Sequence, residues 1–98
     1  MIMNNNISIL QHYFRSNQVF TNYNLKRIGI FGSFARNDEN ANDIDILIED
    51  DIDPDNLIHL KMQLENSFHK KVDIVLSKFA NPIILHRAQK DLHYATQY

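Results

Sequence analysis

Apolar residues along this chain fall into short stretches, some recurring every three or four positions and some alternating, and the two periods predict different elements. Ile7, Leu10 and Phe14 recur at helical spacing behind a run of asparagines that offers a cap. A helix is therefore predicted from about residue 6 to 16, its apolar face on a sheet. Arg27-Ile28-Gly29-Ile30-Phe31 is short, β-rich and stopped by Gly32, which reads as a strand feeding a tight turn. Residues 37–42 are polar and turn-forming, and they lead into Asp43-Ile44-Asp45-Ile46-Leu47-Ile48. In period two, that strand places Asp43 and Asp45 on one face and Ile44, Ile46 and Ile48 on the other.

Pro54 sits where a first helical residue would, with Asp53 as its cap, and Leu57, Leu60, Leu64 and Phe68 mark the buried stripe of a long second helix. Lys71-Val72-Asp73-Ile74-Val75-Leu76 is a third strand, Asn81-Pro82 opens a last helix carrying Ile83, Ile84, Leu85 and Ala88, and Leu92-His93-Tyr94 is read as a short edge strand. The order is helix, strand, loop, strand, helix, strand, helix. It predicts an α/β (α+β) fold, a small sheet flanked by helices.

Size and charge narrow the function. At 98 residues the chain is expected to form a single domain over 1–98, burying roughly 60–70% of its unfolded surface. A separate substrate-recognition domain is therefore not expected. A net charge of −2 supplies no global field for drawing in nucleic acid, so direct nucleic-acid binding is not expected. With no cysteine there is no disulfide scaffold, thiol nucleophile or Cys-based zinc site. Met1-Ile2-Met3-Asn4-Asn5-Asn6 lacks the basic and apolar regions of a signal peptide, and no stretch approaches the roughly 18 apolar residues of a membrane span. A cytoplasmic location is expected.

The carboxylates Asp43, Asp45 and Asp73 lie inside strands whose neighbours want burial. Like charges in a half-buried site repel, and divalent cations relieve that cost. Hard oxygen donors of this kind suit Mg²⁺ or Mn²⁺, and two such ions about 3.5–4 Å apart can hold the attacking and leaving oxygens of a displacement at phosphorus. Gly32-Ser33 supplies what a triphosphate needs: a glycine that lets the backbone come close, and a turn into a helix that aims free N–H groups at phosphate oxygens. Ser33 adds a hydroxyl, and Arg36 a planar fork for the same phosphates. By itself Gly-Ser-Phe-Ala-Arg is weak, since a Gly-Ser turn ends many strands and the Gly-Lys-Ser/Thr ending of a P-loop is absent. Specificity comes from Gly-Ser, a short gap, Asp-x-Asp and a later strand Asp in that order.

Gly32-Ser33-Phe34-Ala35-Arg36, nine residues between Ser33 and Asp43, then Asp-Ile-Asp and Lys71-Val72-Asp73, resemble the minimal nucleotidyltransferases of the DNA polymerase β superfamily over about residues 25 to 95. The resemblance implies a mixed sheet with flanking helices. It implies that Gly32 and Ser33 hold the triphosphate, that Asp43 and Asp45 bind two metals, and that Asp73 completes one metal site and helps activate the acceptor hydroxyl. Many proteins of this kind are antitoxins paired with a helical HEPN ribonuclease toxin, and the implied activity is transfer of AMP from ATP to a toxin tyrosine, which blocks RNA cleavage. A chain this short is expected to need that partner to complete the site.

Two other readings stand beside this one: an antitoxin that neutralises by contact alone, and transfer to a small molecule such as an aminoglycoside. The histidines at 12, 59, 69, 86 and 93 have no recognisable ligand spacing and read as solvated surface. Glu49 to Asp53 reads as a solvated acidic loop leading a helix N-terminus, Lys70-Lys71 as solvating charge beside a strand, and Tyr94 and Tyr98 as edge packing rather than AMP acceptors.

Overall fold

A computed structural model describes residues 5–98, so the leader reading made on Met1 to Asn4 lies outside the described residues. Asn5 caps the first helix, α1 (Asn6–Ser16), its side chain accepting from the Ser8 N–H. A short helix α2 (Val19–Asn22) leads to strand β1 (Arg27–Phe31), which turns directly into the four-residue helix α3 (Gly32–Ala35). Strand β2 (Asp43–Ile48) follows, then α4 (Pro54–Phe68), β3 (Lys71–Leu76), a 3₁₀ turn (Ser77–Phe79), α5 (Pro82–Ala88) and β4 (His93–Thr96). Both proline-led helices are capped as their sequences predict, by Asp53 on the Asn56 N–H and by Asn81 on the Ile83 N–H.

The four strands form one mixed sheet in the order β3-β2-β1-β4. β1 runs antiparallel to both β2 and β4, whereas β2 and β3 are parallel and joined through α4, the crossover that a parallel pair requires. Alternation decides which face is buried. Ile28, Ile30, Ile44, Ile46, Ile48, Val72 and Ala95 are all closed to solvent and pack against Leu10 and Phe14 of α1 and Leu60 and Leu64 of α4. The two helices also meet each other, Tyr13 stacking edge-on against Phe68 and bonding Ser67 through its hydroxyl. Among the described residues no helix is long and apolar enough to cross a membrane.

Polar side chains fasten the strand ends. Glu65 of α4 accepts from the Val72 N–H at the start of β3, and Lys70 Nζ donates to the Ala41 carbonyl just before β2, so the entrances of the two parallel strands are held together. The edge strand β4 begins one residue later than the Leu92 predicted and runs on to Thr96, whose backbone is taken up by Gln11 and Arg15 of α1. Those long-range bonds extend the strand, and they are invisible to local alternation. α2 and the 3₁₀ turn carry too few residues to show a period and were not predicted, whereas α3 is the helix into which the Gly32-Ser33 turn leads.

Beside β4, the Arg27 guanidinium lies 3.7 Å above the Tyr94 ring and bonds Glu49 at 2.7 Å, while the Tyr94 hydroxyl donates to the other Glu49 oxygen. Tyr94 is thus packed at the sheet edge, as its sequence context suggested. The Arg27 bond holds the Glu49 carboxyl below its ordinary value of 4.5, although partial burial opposes it. A lowered folded-state pKa stabilises the fold fully above the unfolded value and ceases to do so as pH falls through the folded one. Glu49→Gln should therefore flatten the dependence of Tm on pH below about pH 4.5 and leave the dependence near neutral pH unchanged; an unchanged acid limb would show that this pair does not drive the acid response.

Candidate active site

Parallel pairing of β2 with β3 sets Asp45 directly beside Asp73 and Asp43 beside Lys71, so all four side chains project on the face opposite the core. On the other side of β2, Phe31 is the antiparallel partner of Asp45, and the chain turns into α3 one residue later. The sheet register thereby brings the Gly-Ser turn over the carboxylate at residue 45.

Gly32 is needed there for two independent reasons. Its φ is +77°, in the left-handed region that glycine enters without steric cost, and a Cβ built on it would lie 2.3 Å from Asp45 Oδ2. The other glycine, Gly29, has no left-handed φ, but its added Cβ would meet the tip of the Leu92 side chain at 2.8 Å and the Leu47 Cβ at 3.1 Å, so it too is closely packed. The first N–H groups of α3 have no partner within the helix, and Ser33 follows Gly32 on the same turn. Downstream, Asn6 of α1 holds this segment by donating its side-chain amide to the Phe34 carbonyl and its backbone N–H to Asn37 Oδ1.

The electrostatics follow from the register. Asp45 has its pKa raised, chiefly by burial and then by the Asp73 and Asp43 carboxylates, with Arg36 and Lys71 partly offsetting them. Lys71 Nζ lies 3.8 Å from Asp73 Oδ1, but both groups are well exposed and the contact is weak. Among the described residues, no three acidic or histidine side chains are gathered closely enough to cage a metal unaided. The expected set of Asp43, Asp45 and Asp73 is therefore brought to one face without forming a closed protein cage. A dication would relieve the crowding at Asp45, and a site that keeps ligand positions for phosphate and water is the usual arrangement for Mg²⁺. The donors fit.

Arg36 lies on the rim of a cleft of about 310 Å³ that opens beside Gly32, its Nη1 2.6 Å from Asp91 Oδ2. The other wall of the cleft comes from α5 and the turn after it, through Ile84, Arg87, Ala88 and Asp91. These residues were missed in the sequence. Their spacing of three, four and seven is helical, but local pattern does not say which element such a face will meet. A larger hollow of about 540 Å³ lies at the far ends of β2 and β3, away from these carboxylates. All five histidines are exposed, in keeping with their unremarkable spacing.

This arrangement, a mixed sheet with two strand carboxylates side by side under a Gly-Ser turn, defines a class of nucleotidyl-transferring proteins, and comparison with known proteins agrees. The chain belongs to the family described as Polymerase beta, Nucleotidyltransferase, whose profile matches residues 8–93. The match begins earlier than the motifs alone suggested and takes in α1. The protein is accordingly a nucleotidyltransferase. A Methanocaldococcus jannaschii protein provisionally named a protein adenylyltransferase is 40% identical over 76 residues, covering 74% of this chain and 78% of that one. The fold also resembles a chain in a crystal structure of a toxin–antitoxin with AMP-PNP, with a TM-score of 0.66 and 21% identity over 86% of this chain and 72% of the other. It resembles, with a TM-score of 0.57 and 19% identity over 90% and 73%, a chain in a structure of a tri-AMPylated Shewanella oneidensis HEPN toxin in complex with an MNT antitoxin.

The contact between Gly32 and Asp45 makes a direct prediction. Gly32→Ala should cost about 1–3 kcal/mol through backbone strain and more through the clash. In an Asp45→Ala background, where Oδ2 is gone, the same substitution should cost less. Urea unfolding of the four proteins in a double-mutant cycle reads that coupling, and equal costs in both backgrounds would refute it.

Proposed function

We propose that this protein transfers AMP from ATP to a tyrosine hydroxyl of a HEPN ribonuclease toxin and so neutralises it. The observation that carries the proposal is the pairing of Asp45 with Asp73 across the parallel register, beneath a turn where a glycine lets the backbone come close. Support for a protein acceptor comes from the relative provisionally named a protein adenylyltransferase, and support for a toxin comes from the HEPN–MNT complex that shares the fold.

In this reading the triphosphate lies along the Gly32-Ser33 turn, where first-turn N–H groups and the Ser33 hydroxyl meet its oxygens. Arg36, steadied by Asp91, supplies a planar cationic contact at the cleft rim, and Arg87 a second. Asp43, Asp45 and Asp73 would hold the Mg²⁺ ions, which would offset phosphate charge and supply Lewis-acid chemistry to the triphosphate. Asp73, set beside Asp45 in the register, takes the proton of the incoming tyrosine hydroxyl. The tyrosine oxygen then bonds to the α-phosphorus, the bond from that phosphorus to the β-phosphate bridging oxygen breaks, and pyrophosphate leaves.

Incubating the protein with the product of its neighbouring gene, α-labelled ATP and Mg²⁺ should label a tyrosine of that product. Asp45→Asn should lower the transfer at least about a hundredfold, the scale of losing one preorganised electrostatic partner of a transition state. No label, with Asp45→Asn indistinguishable from wild type, would sink the proposal. Neutralisation in cells by the Asp43→Ala/Asp45→Ala protein would favour blocking by contact instead.

A further inference from the structure

The second hollow of the molecule has a chemistry of its own. β2 and β3 end side by side at Ile48 and Leu76, and beyond them the chain leaves an apolar groove of about 540 Å³ completed by Ile52, Pro54, Leu57 and Phe79. Ile48 and Leu76 belong to the face opposite Asp45 and Asp73, and Ile48 lies three residues, about 10 Å, further along β2 than Asp45. The groove is therefore separate from the nucleotide site. Phe79, in the 3₁₀ turn, is 84% exposed, more than the other exposed apolar side chains Ile9, Ile58, Met62, Ile83 and Ile84.

The rim is acidic. Asp50, Asp51 and Asp53 stand around the groove against one cation, Lys78, which is paired with Asp51. Asp50 and Asp53 spend hydrogen bonds on the backbone N–H groups of Lys26 and Asn56, and neither forms a salt bridge among the described residues. Two carboxylates thus stand outside any salt bridge among the described residues at the mouth of an apolar trough. The chemistry complementary to that pattern is an apolar side chain flanked by Lys or Arg. An apolar trough with an acidic rim complements a helix that carries apolar residues on one face and basic residues beside them, the helix-in-groove mode of recognition.

We propose that this groove docks an amphipathic helix of a partner protein, with an apolar anchor seated against Phe79 and Leu57 and basic residues facing Asp50 and Asp53. The inference is independent of the AMP-transfer reading, since it uses none of the residues of that site.

The probe is a synthetic helical peptide with Leu at two positions one turn apart and Lys on either flank, compared with a peptide in which Glu replaces each Lys. Titrated into the ¹⁵N- and methyl-labelled full chain, the basic peptide should shift resonances of Ile48, Leu57, Leu76 and Phe79 and leave Gly32 and Ala35 unmoved. Phe79→Ser and Asp50→Asn, both surface changes, should each weaken binding about tenfold or more, and raising the salt should weaken it further. ATP binding by Phe79→Ser should equal wild type. Equal binding of the acidic peptide, shifts centred on Gly32, or no binding at all would each overturn the proposal. Concentration-dependent dimerisation abolished by Phe79→Ser would also overturn it, assigning the groove to a second copy of this chain.

Discussion

Everything distinctive about this molecule depends on how closely the backbone at Gly32 approaches the carboxylate of Asp45. The two are brought together by the β1–β2 register, which pairs Phe31 with Asp45, and the turn that follows has a left-handed φ with no room for a side chain. A one-residue slip of that register would turn Asp45 into the core and expose an isoleucine in its place, so the hydrophobic face and the polar site protect the same alignment. The residues that bury the sheet and the residues available for chemistry are therefore specified together.

The parallel pairing of β2 and β3 adds the second half of the constraint. Setting Asp45 against Asp73 in a half-buried position is unfavourable by itself, and the raised pKa of Asp45 expresses that cost. The strands nevertheless hold, because Ile44, Ile46, Val72 and the helices beneath them bury apolar surface along the same strands. Stability on one face thus maintains electrostatic crowding on the other, and crowding of that sign is what a dication and a polyphosphate can relieve together. Strain of this kind is expected where the fold serves function rather than its own stability.

Much of this was legible in the chain. The bounds of α1, β1, β2, α4, β3 and the start of α5 follow from caps, prolines and periodicity, and the structure has them at the predicted residues. Asp45 and Asp73 stood out because an aspartate between isoleucines or valines violates the apolar logic of its own strand, and Asp43 because it shares a face with Asp45. The helix α2 and the 3₁₀ turn were not legible, and neither was the wall that α5 builds beside Gly32. Arg36 was placed with the phosphates from its distance to Ser33, yet its partner Asp91 is 55 residues away and could be found only in three dimensions. The apolar groove was hidden for the same reason: Ile52 and Phe79 are ordinary loop residues until two strand ends bring them together.

By itself, then, the sequence determined which strand residues face inward, where each major element begins, and that three carboxylates would share strands with buried neighbours, although of the stripe read on α4 only Leu60 and Leu64 are buried. Period, capping and proline geometry are local properties, decided within a few residues. Only the tertiary structure decided that Asp45 would sit beside Asp73, beneath Gly32, and that α5 would close a cleft beside them. Those relations depend on strand order and register, which come from pairing segments far apart in the chain, and no local pattern encodes the choice of partner.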